Sequence, residues 1–166
     1  NTIVADTCSV KVHPAKCMQQ LLPPGTALVA THPMFGPDSA ANGLKGLPVV
    51  VSPVQGTQAL NEVTNLFNRM ELKVIPMTPE EHDREAAYTQ GITHFTGRVL
   101  ESMHLKPSPI GTMGYGKLLD IIQQTCNDPL QLFEDLQKYN PYTGEMRRLL
   151  KHSFHQILDR FDEGPA

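Results

Sequence analysis

No apolar run in these 166 residues approaches the ~20 that a membrane-spanning helix requires. The first residues do not read as a secretory leader either, so neither a membrane nor an export role is expected. No basic run is longer than Arg147-Arg148, and the formal charge is −3 with a pI near 6.2, so a nucleic-acid partner is not expected. Cysteine is scarce. Cys8, Cys17 and Cys126 are odd in number, widely spaced and free of any C-x-x-C pattern. That spacing excludes a zinc finger and a disulfide framework, and it points to reduced thiols in the cytoplasm or an organelle interior. Walker A, nucleophile-elbow and G-x-G-x-x-G patterns are all lacking. "GTMGYG" (111–116) has its glycines in the wrong order and no strand before it, so it reads as an inter-helix turn. What is present is an ordinary globular composition, 40% hydrophobic and 19% charged. A chain of this length fits one domain or two small ones and can bury roughly 70% of its unfolded surface.

Two halves differ in period. In the first, "TIVAD", "ALVATHP", "LPVVVSPV" and "KVIPM" read as strands, and "PAKCMQQLLP" and "TQALNEVTNLFNRM" read as the helices between them. Alternation of this kind implies crossover units and a mostly parallel sheet. From Thr78 onward only helical patterns remain. Thr78, Pro79 and Glu81 occupy the N-cap, first-turn and capping-box positions of the first. "YGKLLDIIQQTC", "PLQLFEDLQKY" and a last helix follow. The last helix carries Met146, Leu149, Leu150, Ser153, Phe154, Ile157, Leu158 and Phe161 on one stripe. The stripe suits either an internal core or a subunit interface. The expected organisation is therefore an α/β half, 1–77, joined to an all-helical half, 78–166. A buried strand at the very first residues also suggests that the chain starts in the middle of something larger.

In open parallel sheets, ligands bind at the carboxyl ends of strands. "DTCSVK" (6–11) and "THPMFGPD" (31–38) leave two such ends. If the strands are neighbours, Ser9 and His32 lie on adjacent loops at one edge, and a histidine there is suited to general-base work near neutral pH. Pro33, Gly36 and Pro37 argue for a loop held in one shape around His32 and Asp38. Each residue also has a plainer reading. His32 can be a packed strand-end histidine, Ser9 the N-cap of the next helix, Asp6 a turn cap and Asp38 a solvated loop carboxylate. His82 and His94 are twelve residues apart, roughly 120° around a helix, which disfavours an i, i+4 zinc pair. A metal site using His32, His82 and His94 stays geometrically open. The plainer reading makes one of the latter two exposed and the other packed beneath the sheet edge.

"D-x-x-S-V-K", "H-P-M-F-G-P-D" and "E-E-H-D-R-x-A-A-Y-T-Q-x-x-x-H", in that order, resemble the prephenate/arogenate dehydrogenases of tyrosine biosynthesis. "HPMFGP" and "LLDIIQQTCNDPLQLFEDLQKYN" are similar to the plant-type arogenate branch in particular. The resemblance covers nearly the whole chain. It implies the C-terminal part of a Rossmann-like α/β domain joined to a helical substrate-binding and dimerisation domain. It also implies NAD(P)-dependent oxidative decarboxylation of a cyclohexadiene acid, arogenate or prephenate. By motif position His32 is the base on the 4-hydroxyl, and Ser9 aligns that base with substrate and nicotinamide. Thr7 and Ser9 face the cofactor, and His94 and His82 reach the substrate. Asp38 favours the amine of arogenate over the keto group of prephenate. The arginine with which many bacterial relatives clamp a substrate carboxylate is missing from "YGKLLDIIQQTCNDP", leaving Lys117, a point charge without a bidentate fork. The glycine-rich turn and ribose-binding acid are not found in this chain, so NAD and NADP are not distinguished. A homodimer is expected, with a cytoplasmic or, for the plant type, plastid location. The alternatives are a non-catalytic dimerisation module and a related hydroxy-acid dehydrogenase.

Overall fold

The computed structural model describes residues 2–162, the side chains of Asp38 and Asp162 excepted. Contacts divide the chain into two compact units, Asn1–Glu85 and Ala86–Ala166, so Thr78–Glu85 goes with the sheet.

The first unit is a four-stranded sheet in the order β1(Ile3–Asp6), β2(Ala27–Pro33), β3(Pro48–Gln55), β4(Lys73–Pro76). Pairs β1–β2 and β3–β4 are parallel, but β2–β3 is antiparallel, with His32 opposite Val50 and Ala30 opposite Ser52. The mostly parallel sheet expected from alternation therefore holds for two of the three pairings among the described residues. Strand–helix alternation fixes neighbours, and it does not fix the sense of the β2–β3 joint. Helix α1(Val12–Leu21) links the first parallel pair and α3(Thr57–Arg69) the second, with a short α2(Pro37–Ala40) between β2 and β3. Right-handed crossovers on either side of an antiparallel joint send α1 and α3 to opposite faces. Side chains alternate accordingly. Val29 and Val51 pack with Ala59 and Val63 of α3, joined by Ile3, Ala27, Leu60, Phe67 and Val74. Each fully buried valine of this set contributes about 1.5–3 kcal/mol. His32, out of phase with Val29, projects from the other face.

Helix α4(Pro79–Ala86) starts with the expected capping box: Glu81 N–H donates to Thr78 Oγ1 at 3.2 Å, and Thr78 N–H donates to Glu81 Oε2 at 2.8 Å. The bonds from Thr78 hold the Glu81 carboxyl below its usual pKa range.

The second unit is helical. A π turn (Ala87–Gly91) leads into α5(Ile92–Ser102), followed by α6(Met113–Cys126), α7(Leu130–Tyr139) and α8(Thr143–Asp162). "GTMGYG" is only partly the turn expected. Thr112 accepts from Tyr115 N–H at 3.2 Å and caps α6, so Met113 to Gly116 are already helical. The last helix buries Met146 but leaves Leu149, Phe154, Ile157, Leu158 and Phe161 at 51–78% exposure. Within one chain the apolar stripe is thus mostly uncovered.

Gly97 lets α5 and α6 approach: a Cβ there would lie 2.0 Å from Thr125 Oγ1 and 3.1 Å from its Cβ. Thr125 is buried and donates to Ile121 O at 2.8 Å, so it has nowhere to turn. Gly97→Ala is expected to cost about 1–3 kcal/mol by overpacking. Thermal melts should show Gly97→Ala/Thr125→Ala losing less than the sum of the two single changes, because the second removes the 2.0 Å contact and leaves only the milder one with Cβ.

Candidate functional site

Asp6 ends β1 and organises the turn beyond it. Its Oδ1 accepts from Thr31 N–H at 3.1 Å and its Oδ2 from Cys8 N–H at 3.0 Å, so its reading as a turn cap holds. The Lys11 ammonium donates to Asp6 Oδ2 and to the Thr31 carbonyl, and Lys11 is wholly buried. Burial lowers the Lys11 pKa, while the neighbouring Asp6 carboxylate opposes that shift.

The N-terminus of α1 is not capped by Ser9. The N-cap position is Lys11, and its side chain makes no cap bond. The cap comes instead from 72 residues away. Asp83 of α4 accepts from Lys11 N–H through Oδ1 at 2.7 Å and from Val12 N–H through Oδ2 at 2.9 Å. A carboxylate at this end also meets the positive pole of the helix, an interaction worth up to ~2 kcal/mol when partly buried. Sequence reasoning missed Asp83, although it stands in a quoted motif. A cap supplied across the fold leaves no local spacing to find. Ser9, half-buried, lies in the bend between Asp6 and Lys11, and Thr7 beside it is exposed.

His32 lies within β2 rather than in a loop after it, 3% exposed. The chain continues through Met34, whose N–H donates to Pro48 O at 2.9 Å, into α2, where Asp38 sits with its side chain outside the described residues. Gly36 has no positive φ, and a Cβ there would meet nothing within 4 Å, so it is not the conformational constraint the sequence suggested. Strand pairing and the prolines hold His32. Its Nδ1 lies 2.8 Å from Nε2 of His82, and Nδ1 of His82 lies 2.8 Å from Asp83 Oδ1. The rings meet edge-on, 5.0 Å between centroids. Burial, then the neighbouring His82 and Lys11, push the His32 pKa down to about 3. This is well below the near-neutral value expected of a base, and it keeps the ring neutral at pH 7. A groove of about 560 Å³ bounded by Val51, Leu60, Thr64, Val74 and Glu81 belongs to the α3 face, and His32 does not line it.

In the second unit His94 is buried on α5, so His82 and His94 are both packed, against the expectation that one is exposed. The π turn between them also breaks the regular helical phase from which their 120° offset was reckoned. Nε2 of His94 is 3.8 Å from Asp128 Oδ2. Burial lowers the His94 pKa, with Asp128 opposing and Arg98 adding to the effect. Gln90 Oε1, His94 Nδ1 and Arg98 Nε, spaced four apart, are buried without a hydrogen-bond partner. Arg98 is a second residue the sequence reading passed over, because the arginine was sought beyond residue 115. It bonds Asp128 O at 2.9 Å and lies 5.9 Å from the Phe133 ring centroid. Lys117 is exposed on α6 and pairs with Asp120 at 3.3 Å.

Both halves of the chain are similar to known proteins. Residues 1–76 match the family model "Prephenate dehydrogenase, nucleotide-binding domain", and residues 99–164 match "TYRAAT1-like, C-terminal domain". Arogenate dehydrogenase 2, chloroplastic, of Arabidopsis thaliana is 36% identical over 163 residues, 95% of this chain and 46% of that protein. Arogenate dehydrogenase 1, chloroplastic, of the same plant is 34% identical over 95% of this chain and 26% of its own length. The chain thus spans less than half of these curated relatives. Among solved structures, prephenate dehydrogenase from A. aeolicus, in complex with hydroxyphenyl propionate and NAD+, superposes with a TM-score of 0.70. It is 20% identical, over 98% of this chain and 62% of that one, a likeness of fold.

Proposed function

We propose that this chain, which belongs to the prephenate/arogenate dehydrogenase family, contributes the base-bearing and helical parts of an enzyme that oxidatively decarboxylates arogenate, or prephenate. His32 carries the reading: a buried, neutral imidazole held at the carboxyl end of a strand and hydrogen-bonded from behind. It accepts the proton of the ring 4-hydroxyl. A ring imidazole with so low a pKa suffices, because loss of the C–H electron pair makes the attached hydroxyl strongly acidic. The ring then aromatises as carboxylate leaves as CO₂.

Thr7 and Ser9, at the carboxyl end of β1, fit the nicotinamide end of NAD or NADP. A glycine-rich pyrophosphate turn is not among the 166 residues, so that end of the cofactor is not fitted by them. When bound, the dinucleotide accepts the hydride. Ser9 aligns His32 with the substrate, and Asp38 favours the amine of arogenate. His94 and Lys117 contact the substrate from the helical part. The orphaned atoms of Gln90, His94 and Arg98 support a polar ligand there, since leaving each unpaired costs about 1–3 kcal/mol. The uncovered stripe of α8 supports a homodimer through the helical unit. The reading includes a cytoplasmic or plastid location.

Calorimetric titration with arogenate and with prephenate, with and without NAD+ or NADP+, tests it. Arogenate is expected to bind the more tightly, and His32→Asn to weaken it about tenfold, the loss of one hydrogen bond to a positioned group. Heat from neither acid under any condition would leave a dimerisation module and sink the enzymatic reading.

A further inference from the structure

Asp83, His82 and His32 form a chain of hydrogen bonds whose direction follows from its first member. Asp83 accepts backbone N–H bonds on both oxygens, from Lys11 at 2.7 Å and from Val12 at 2.9 Å. As a carboxylate it only accepts, so the 2.8 Å contact with His82 Nδ1 requires a proton on that nitrogen. In neutral imidazole the other nitrogen is then an acceptor, so His82 Nε2 presents its lone pair to His32 Nδ1, 2.8 Å away. His32 Nδ1 must donate. The opposite polarity would need a doubly protonated His82 that is 3% exposed, in a region where the buried Lys11 already supplies a cation.

We infer that His82 and Asp83 are positioning residues that lock His32 in its Nδ1–H tautomer, leaving Nε2 as the atom that takes the substrate proton. The inference rests on the function proposed above only for what that proton is; the tautomer itself is a property of this chain. In the step, the hydroxyl O–H bond breaks and an Nε2–H bond forms. The imidazolium so made already directs its Nδ1–H at His82, which in turn donates to Asp83. The positive charge is stabilised along the chain, and no proton moves to the carboxylate. On the same logic both ring nitrogens of His82 are engaged within the chain, which gives this residue a positioning role.

Nitrogen-15 spectra of the histidine-labelled chain at pH 7, with long-range ring couplings to assign Nδ1 and Nε2, test this directly. Both His32 and His82 are expected as single Nδ1–H tautomers. His82→Gln keeps an acceptor near the position of Nε2 and should leave His32 in that tautomer. His82→Leu removes the acceptor and should give a tautomer mixture at His32. A proton on His32 Nε2 in the wild type overturns the inference, and so does a His32 tautomer unchanged by His82→Leu. If the leucine variant does not fold, the wild-type spectrum decides alone. An Nδ1–H His32 in a chain that binds neither ring acid would uphold the relay and sink the function. Arogenate binding with an Nε2–H His32 would do the reverse.

Discussion

Lys11→Met is expected to lower the stability of the sheet unit by about 3–5 kcal/mol, the effect of breaking a buried ion pair from one side. The lysine is fully buried, and the Asp6 side chain is only 10% exposed. Methionine fills the same volume, so packing changes little, but the Asp6 carboxylate stays charged and loses its counter-ion. Two backbone donors, Thr31 N–H and Cys8 N–H, remain to it, while the Thr31 carbonyl loses the ammonium as a donor. The strand ends carrying Asp6 and Thr31 are tied through this ammonium, so the site next to His32 should loosen as well. Urea unfolding should show the midpoint falling by more than about 1 M. The control is Asp6→Asn/Lys11→Met, where a neutral amide can still accept from Thr31 N–H. If uncompensated charge is the cause, the double variant recovers part of the loss; an equal or greater loss would assign the effect to packing instead. Lys11→Arg offers no rescue, since the planar guanidinium does not fit a space shaped for a point charge.

The strands and helices were legible because their periods are local. The apolar run that opens β2, the valine-rich β3, the amphipathic α3 and the Thr78–Glu81 box each declare themselves within a dozen residues. The antiparallel β2–β3 joint was not, since nothing in either strand states the direction of its neighbour. At the site, His32 was legible as a histidine among prolines, whereas its partners were not. The Asp83 cap spans 72 residues, and the His32–His82 bond spans 50. Gly36 misled, because glycine next to proline reads as a conformational demand that the backbone there does not make. Lys11 closes the "D-x-x-S-V-K" pattern, and nothing in that spacing gives it a task. Burial turns a surface-type residue into the tie between β1 and β2, and burial is a tertiary fact.

Acid should destabilise the sheet unit through a buried histidine. The folded-state pKa of His32, about 3, lies below its ordinary value of 6.5, because burial first, and then the neighbouring His82 and Lys11, disfavour a second cation in this interior. The unfolded chain therefore binds the proton first. The stabilisation is complete above pH 6.5 and is lost as pH falls toward 3, at up to ~1.4 kcal/mol per unit. By pH 4.5 the loss from this one group is about 2–3 kcal/mol. Glu81, also shifted down, adds to it only as the pH passes its own ordinary value of 4.5. His94 contributes in the same sense, but in the helical unit, so the two are separable by residue-resolved amide exchange. Denaturant titrations at pH 7, 5.5 and 4.5 should show the decline in the wild type and a flatter profile in His32→Asn, whatever the absolute stability of that variant. An equal slope in both would mean that His32 is protonated as readily in the fold as in the unfolded chain, and the buried, neutral base would go with it.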